Sequence, residues 1–261
     1  MTDAHEPHRT QQTHAESFGD AADAYERGRP SYPEAALAWL LPQDVRTVVD
    51  LGAGTGKLTR LLTARGLDVV AVEPSTQMRE ILAASLPTST QCVAGHAEDI
   101  PLADSSADVV LVAQAWHWFD TQLAVREIAR ILKPGGHLGL LWNVRDERVE
   151  WVAELSRVIH EAAAPRLNSE NPTVGEPFGP IERSDFEWEA NLDPATLLDM
   201  VASRSYFITS PPQRQAATLE AVRNLLRDHP QLSHSEAIAM PYITRCSRTR
   251  LPSSQHHTPL T

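Results

Sequence analysis

The chain has 261 residues, 42% of them hydrophobic, and a formal net charge of −11 at pH 7. The acidic balance argues against a phosphate-backbone partner, since nucleic-acid binding rests on basic patches. No apolar run approaches the ~20 residues that span a bilayer, and the N-terminus lacks the basic and apolar regions of an export signal. We therefore expect a cytoplasmic protein that acts on a small molecule, as a monomer or a homodimer.

The start of the chain predicts a tail and two helices. Residues 1–16 are polar and lack periodicity, so they are predicted to be disordered. A short helix is expected over residues 18–27, and a second one begins at Pro33, which suits the first turn of a helix. Leu37 and Leu40 share one face of this second helix, which indicates that it packs on a core.

The most informative stretch is TVVDLGAGTG, residues 47–56. Its Val-rich first half, interrupted by Asp50, is typical of a buried parallel strand, and Leu58, Leu61 and Leu62 then recur at helical spacing. Glycines at alternate positions of the turn let a ligand lie against bare backbone, where free N–H groups suit an anionic or electron-rich group. This strand, turn and helix predict a site for a nucleotide-like cofactor.

A second strand, at residues 68–73, ends in an acid. The Glu73 carboxylate follows the glycines by roughly 20 residues, a position from which it can accept hydrogen bonds from ribose hydroxyls. Pro74 and Ser75 begin the next helix, in which Met78 points inward. A short third strand is expected near residues 91–94.

A fourth strand, at residues 107–113, precedes the string QAWHWFD. Ligands of open α/β sheets bind beyond the carboxyl ends of the strands, so Trp116, His117 and Trp118 are candidates for a small-molecule pocket. Asp120 is predicted to cap the helix that follows. His117 could take a proton from the acceptor as a catalytic base, or it could be a structural residue between two tryptophans.

The rest of the chain predicts a fifth strand at residues 137–142, after the helix stop Lys-Pro-Gly-Gly, and then one more helix. The stretch 162–180 is long for a loop inside a compact domain, and we interpret it as a lid over the acceptor site. A strand, two helices and a closing strand at residues 242–246 follow. Cys92 and Cys246 fall in predicted strands and are expected to be buried and reduced. The sequence contains neither a metal-ligand cluster nor a P-loop.

Three motifs together resemble class I S-adenosylmethionine-dependent methyltransferases. The glycines are spaced G-x-G-x-G, and Lys57 stands where a dinucleotide site has its third glycine. A frame of the form G-x-A-E-x-x-P begins at Gly95. The string QAWHWFD is similar to that of one branch, which includes the ubiquinone-pathway-like and trans-aconitate methyltransferase-like enzymes.

The resemblance implies S-adenosylmethionine as the cofactor and assigns residues to it. Tyr25 or Arg29 would meet the methionine end, and the Ala97 backbone N–H would meet an adenine ring nitrogen. His96 stands where the family commonly has an Asp for the adenine amino group, so Glu98 either makes that contact or is a surface acid. The expected cofactor-binding residues are Tyr25, Arg29, Asp50, Gly52, Ala53, Gly54, Thr55, Gly56, Glu73, Pro74, Met78, Ala97, Glu98 and Gln114.

The predicted fold is a single α/β domain over residues 17–247, with a doubly wound, Rossmann-like, mostly parallel seven-stranded sheet, an antiparallel edge strand and a small cap. The cofactor-binding core covers residues 45–143, the cap or lid covers 144–182, and a loose tail covers 248–261. The predicted function is methyl transfer to a carboxylate, hydroxyl, thiol or carbon atom of a small molecule. Two alternatives remain, a nucleotide-cofactor oxidoreductase and a non-catalytic module that binds S-adenosylmethionine.

Overall fold

The computed structural model describes residues 29–160, 172–233 and 237–253. The predicted N-terminal tail, the helix at residues 18–27 and Tyr25 lie outside these ranges. The strands are β1 (Thr47–Leu51), β2 (Asp68–Val72), β3 (Gln91–Val93), β4 (Ala107–Ala113), β5 (Leu132–Arg145), β6 (Glu182–Leu192) and β7 (Ile238–Arg250). The helices are α1 (Glu34–Leu40), α2 (Lys57–Ala64), α3 (Thr76–Ala84), α4 (Thr121–Ile131), α5 (Glu150–His160), α6 (Pro194–Ala202), α7 (Ser205–Ile208) and α8 (Pro212–Asp228), with a 3₁₀ helix at Trp116–Trp118.

The sheet has the order β3-β2-β1-β4-β5-β7-β6. Strands β1 to β5 are parallel to their neighbours in this group, and β7 is antiparallel to both β5 and β6. The chain order reverses between β1 and β4, so the ligand crevice of such a sheet lies beyond the carboxyl ends of these two strands. The predicted doubly wound, mostly parallel sheet with an antiparallel edge is confirmed.

Different helices cover the two faces of the sheet. On one face, α1 and α2 pack against β1 and β4 through leucines such as Leu40 and Leu62. On the other face, α4 packs its apolar side against β1, β4 and β5. The Asp120 side chain accepts hydrogen bonds from the backbone N–H groups of Gln122 and Leu123, so the predicted N-cap of α4 is confirmed. The core of the sheet is therefore closed on both sides around the predicted cofactor region.

Helices α5 to α8 form a separate apolar cluster with the ends of β6 and β7, which we call the helical layer. Leu192 of β6 pairs with Ile238 of β7, and Arg145 at the end of β5 pairs with Tyr242 of β7. These pairs put the end of β6, the start of β7 and the end of β5 at one edge of the sheet. The helical layer therefore lies at the carboxyl edge, where β1 and β4 also end.

Two strand boundaries and the number of helices before the last strand differ from the sequence prediction. Strand β5 begins at Leu132, because Leu132 pairs with Ala107 before an irregularity in the ladder, so the Lys-Pro-Gly-Gly stretch lies inside the strand. Strand β7 continues to Arg250, which pairs with His137, so the ordered chain passes the predicted domain end at residue 247. In the described part of the connection from β6 to β7 there are three helices, where two were expected.

The described end of the predicted lid lies away from the carboxyl edge. The Gly179 N–H donates to the Arg250 carbonyl at 3.0 Å, and Thr249 Oγ1 donates to the Gly179 carbonyl at 2.8 Å. Arg250 pairs with His137, near the start of β5, so these contacts lie at the amino edge of the sheet. Residues 172–181 therefore do not cover the carboxyl edge, and residues 162–171 lie outside the described ranges.

None of the helices in the described part of the chain is both long enough and apolar enough to cross a membrane.

Candidate functional site

Three segments meet at the carboxyl edge, at the point where the chain order reverses. They are the glycine turn (residues 52–56) after β1, the segment after β2 that begins with Glu73, and the segment after β4 that begins with Gln114. The backbone N–H groups of Gly52 and Ala53 donate to the Val72 carbonyl at 2.8 and 3.1 Å. The glycine turn is thereby fastened to the end of the neighbouring strand.

The glycine turn has a backbone that requires glycine. The backbone φ angles of Gly52, Gly54 and Gly56 are +73°, +56° and +90°, values that residues other than glycine rarely adopt. A Cβ atom on Gly52 would lie 2.8 Å from the Cβ of Ala115, and one on Gly56 would overlap the Leu82 side chain. At these two positions glycine is therefore required by backbone conformation and by neighbouring side chains.

Glu73 links the glycine turn to the end of β2. Its Oε2 accepts a hydrogen bond from the Gly54 N–H at 2.8 Å, and its Oε1 accepts one from the Ser75 N–H at 2.9 Å. Burial raises the pKa of this carboxyl group, against the lowering effect of the two N–H donors. Each carboxylate oxygen keeps a second lone pair for another donor.

Asp50 lies below the glycine turn and is almost fully buried. Thr59 Oγ1 donates to its Oδ2 at 2.6 Å, whereas its Oδ1 has no hydrogen-bond partner among the described residues. The Asp50 pKa is raised to about 7, and burial is the largest cause. The hydrogen bond from Thr59 lowers this pKa, and the negative charge of Glu73 raises it. The Thr55 hydroxyl is also buried and lacks a partner within the described ranges.

A cleft beside the glycine turn brings several predicted cofactor residues together. Gly54 is at this turn and is held by Glu73, whereas Tyr25 lies outside the described residues. The predicted residues that line the cleft are Arg29, Asp50, Gly52, Ala53, Thr55 and Gln114. These residues come from three separate segments of the chain, so the cleft is a product of the fold.

The remaining predicted cofactor residues lie around the second and third strands. Pro74 follows Glu73 directly, and Met78 is buried in the first turns of α3. Ala97 is buried as well. Glu98 Oε1 accepts a hydrogen bond from the Asp120 N–H at 2.7 Å, so this acid supports the start of α4 and is not a free surface charge.

The rings of the aromatic segment, residues 116–119, differ in their surroundings. Trp116 is buried in the cluster beneath α4, and its ring makes an edge contact with Phe119, with 6.0 Å between the ring centroids. The His117 ring lies 4.6 Å from the Trp118 ring. The sequence alone did not show which of these side chains the 3₁₀ helix turns toward the core.

His117 has an unusual environment. Its Nδ1 is buried and has no hydrogen-bond partner among the described residues. Burial, and then the positive charge of Arg29, lower the His117 pKa to about 4. The imidazole is therefore neutral at physiological pH.

Sequence reasoning missed a hydrogen-bonded chain that ties the cleft to the last strands. Trp188 Nε1 donates to Thr244 Oγ1 at 2.8 Å, and Thr244 Oγ1 donates to Asn143 Oδ1 at 2.6 Å. Asn143 Nδ2 donates to the Ser31 carbonyl at 2.8 Å, next to the segment that carries Arg29. The polar residue Asn143 at the end of β5 was the one indication of this chain in the sequence. Its partners Thr244 and Ser31 are distant in sequence, so they could not be predicted.

A second group missed in the sequence surrounds the hydroxyl of Tyr242. This hydroxyl donates to Met200 Sδ at 3.2 Å. Burial raises the Tyr242 pKa, and the positive charges of Arg204, Arg145 and Arg29 oppose that rise. We call these three residues the arginine cluster. It joins the end of β5, the junction of α6 and α7, and the N-terminal segment.

Comparison with known proteins gives a consistent result. A methyltransferase domain model matches residues 49–140. An uncharacterized methyltransferase of Mycobacterium tuberculosis is 54% identical over 235 residues, which cover 90% of this chain and 96% of that protein. An uncharacterized methyltransferase-like protein of Schizosaccharomyces pombe is 32% identical, over 86% of this chain and 91% of its own length. The structure of a putative type II methyltransferase from Anaeromyxobacter dehalogenans has the same fold, with a TM-score of 0.69 and 22% identity, over 86% of this chain and 99% of that one.

Proposed function

This chain belongs to the class I S-adenosylmethionine-dependent methyltransferases, and we propose that it methylates a small-molecule acceptor bound at the carboxyl edge of its sheet. The observation that carries this proposal is the buried Glu73 carboxylate, which holds the Gly54 N–H beside a cleft with unpartnered polar atoms. The string QAWHWFD supports the ubiquinone-pathway-like and trans-aconitate methyltransferase-like branch.

The polar groups of the cleft fit S-adenosylmethionine. Asp50 Oδ1 and Thr55 Oγ1 are buried without partners in the described part of the chain, and a buried unsatisfied polar atom costs about 1–3 kcal/mol. A ligand that brings its own donors and acceptors removes that cost. A dinucleotide is the poorer match, since Lys57 occupies the position of the third glycine in the dinucleotide motif.

We assign each part of the cofactor to the residues whose chemical groups complement it. The remaining lone pairs of Glu73 accept ribose hydroxyls, and the guanidinium of Arg29 pairs with the methionine carboxylate. Met78 packs against the adenine, and the Ala97 N–H bonds a ring nitrogen. When bound, S-adenosylmethionine supplies a methyl group that its sulfonium has already activated.

His117 is assigned to the acceptor and not to proton removal. A base with a pKa of about 4 is too weak to take a proton from an alcohol or a phenol, whose pKa is about 10 or more. Its neutral Nδ1 is nevertheless available for a hydrogen bond to the acceptor. His117 then positions the acceptor, and Trp118 forms a wall beside it.

Calorimetric titration tests the cofactor assignment. Wild-type protein should bind S-adenosylmethionine and S-adenosylhomocysteine and should not bind NAD or NADP. Loss of one or two hydrogen bonds to a charged group, each worth about 1.5–3 kcal/mol, predicts an affinity at least about tenfold weaker for Glu73→Ala.

Two further variants make this titration decisive. Glu73→Gln keeps the side-chain volume and one acceptor oxygen, so it should give an intermediate affinity. Glu220→Ala, an exposed acid on α8, controls for the loss of charge and should bind as the wild type does. Unchanged affinity in Glu73→Ala, or tight binding of NAD alone, would refute the assignment.

A further inference from the structure

We propose that the protein has a second ligand site, which binds a phosphate group, free or on a small metabolite, on the side of the sheet that α4 covers. The site is a cleft over strands β5, β7 and β6, which we call the second cleft. Its lining includes Trp142, Arg183, Asp185, Arg245 and Ser247. The proposal goes beyond the methyltransferase function and does not depend on it.

The register of the last three strands brings these five side chains to one face of the sheet. Arg245 of β7 pairs with Trp142 of β5 on one side and with Asp185 of β6 on the other. Ser247, two residues further along β7, pairs with Arg183 of β6. Side chains at paired positions, and at positions two apart in one strand, point to the same face. That face is the one under α4, because Trp142 belongs to the apolar cluster beneath this helix.

Trp142 supplies the observation that points to a ligand. This residue is only 4% exposed, and its indole Nε1 is buried without a hydrogen-bond partner in the described part of the chain. The indole of Trp188, by contrast, donates to Thr244 Oγ1. An indole N–H can only donate, and a buried donor without an acceptor destabilises the fold. Since Trp142 lines the second cleft, an acceptor atom bound there can complete this N–H.

The other polar groups of the second cleft are mostly donors. Arg183 and Arg245 each present a guanidinium, and Ser247 presents a hydroxyl. Arg183 is oriented by its Nη2, which donates to the Pro172 carbonyl at 3.3 Å. Asp185, whose Oδ2 lies 4.0 Å from Arg245 Nε, is the one acid among the described residues of the lining. Two cations and one anion give the cleft a positive charge in a chain of formal net charge −11, so an anion rich in acceptor atoms complements it.

A phosphate group fits this arrangement better than a planar anion does. The donors come from three neighbouring strands, an indole from β5, a hydroxyl from β7 and a guanidinium from β6. A tetrahedral phosphate offers a separate oxygen to each of them, whereas a carboxylate has only two oxygens. The cleft encloses about 300 Å³, the lower end of the range for small-molecule sites, so it can admit a phosphorylated metabolite.

The second cleft is separate from the cofactor cleft beside the glycine turn. The two clefts share no lining residue among those that the structure describes. Strand β7 is three strands from β1 in the sheet, a distance of about 14 Å at roughly 4.8 Å per strand. A phosphate in the second cleft and a cofactor at the glycine turn can therefore be bound at the same time.

The indole N–H signals in an NMR spectrum of isotope-labelled protein report on the second cleft directly. Trp142→Phe identifies the Trp142 signal by its loss. Inorganic phosphate, added at constant pH and ionic strength, should move this signal downfield, as expected when an unpartnered N–H gains an acceptor. The Trp188 signal is the internal control and should not move, because its N–H already donates to Thr244. A Trp142 signal that stays in place with inorganic phosphate and with phenyl phosphate would overturn the proposal.

The same titration identifies the source of the phosphate. Tighter binding of phenyl phosphate than of inorganic phosphate would indicate a phosphorylated metabolite, and the reverse would indicate free phosphate. Acetate at the same ionic strength should bind more weakly than either. An equal response to acetate would refute the assignment to phosphate.

Charge variants predict both the direction and the size of the change in phosphate affinity. Arg183→Gln should weaken binding about fivefold or more, because it removes a charge-assisted hydrogen bond. Asp185→Asn should strengthen binding about twofold, because it removes a like charge. Both side chains are exposed, so the fold should tolerate these changes. Arg223→Gln, on α8 and outside the cleft, controls for the loss of one positive charge and should bind phosphate as the wild type does. Equal affinity in all four proteins would overturn the proposal even if Trp142→Phe fails to fold.

Competition with S-adenosylhomocysteine excludes the other place where a phosphate could bind, the N-terminus of α2 at the glycine turn. Protein saturated with S-adenosylhomocysteine should bind phosphate with unchanged affinity, because the two clefts are separate. Displacement of phosphate by S-adenosylhomocysteine would place the anion in the cofactor cleft and overturn the proposal. Failure of the protein to bind S-adenosylhomocysteine would contradict the proposed function, whereas the Trp142 signal would still test the second cleft.

Discussion

Replacement of Asp50 by Asn should stabilise the protein by an amount that grows with pH. The native state raises the Asp50 pKa from 3.8, its ordinary value, to about 7, chiefly because the side chain is buried. The native state therefore holds a proton that the unfolded chain releases. The stability associated with this proton is fully present below pH 4 and is lost as the pH rises through 7.

The magnitude follows from the same pKa. At about 1.4 kcal/mol for each pKa unit, a rise from 3.8 to about 7 corresponds to about 4 kcal/mol of lost stability once Asp50 is ionised. Asn cannot ionise, and its carbonyl can still accept the hydrogen bond from Thr59. The free energy of unfolding of Asp50→Asn should thus match the wild-type value near pH 4 and exceed it by up to about 4 kcal/mol at pH 8.

The measurement is urea unfolding of both proteins, monitored by tryptophan fluorescence between pH 4.5 and 8. Asp44→Asn, in an exposed turn before β1, controls for the removal of one carboxyl group from the protein. A difference between Asp50→Asn and wild type that stays constant over this pH range would show that the burial argument is wrong. So would a difference that shrinks as the pH rises.

Three further predictions concern the turn, the imidazole and the link to the last strands. Gly56→Ala should lower the free energy of unfolding by about 2 kcal/mol or more, because the φ of +90° and contact with Leu82 both oppose a Cβ; denaturant unfolding measures it. His117→Asn should lower kcat/KM about tenfold. Because the His117 pKa is about 4, the kcat of the wild-type enzyme should not change between pH 6 and 9. A fall in wild-type kcat below about pH 6.5 that is absent in the variant would contradict this interpretation. Thr244→Val removes the hydroxyl that links Trp188 to Asn143, so the affinity for S-adenosylmethionine, measured by calorimetry, should be roughly tenfold weaker. The control variant Thr76→Val, at the exposed start of α3, should leave this affinity unchanged.

Local signals predicted the parts of the fold that short-range physics determines. The glycine turn, the acid at the end of β2 and the cap at Asp120 each depend on a few consecutive residues, and the structure has a turn, a buried carboxylate and a helix start at these places. The alternation of strands and helices up to β5 predicted a doubly wound, mostly parallel sheet, as the structure has it. These features need no knowledge of distant parts of the chain.

Long-range pairing accounts for most of what the sequence did not predict. Asn143 meets Thr244, and Arg145 meets Tyr242, only because β7 returns antiparallel along β5. Arg204 joins them because the chain between β6 and β7 folds back over the same edge. The burial of Trp116 was not predicted, because its orientation depends on a 3₁₀ turn and not on a periodic pattern.

The dependence of the first helix on the last strand has a consequence for synthesis. Arg248 of β7 stacks 4.2 Å from the Trp39 ring centroid and donates to the Trp39 carbonyl, and Thr244 supports Asn143, which holds Ser31. A nascent chain in which β7 is still within the ribosome lacks the contacts that Arg248 and Thr244 make. The glycine turn can form early, but the wall of the cleft that carries Arg29 gains its support only when β7 has joined the sheet, so cofactor capture depends on the last strand to be added.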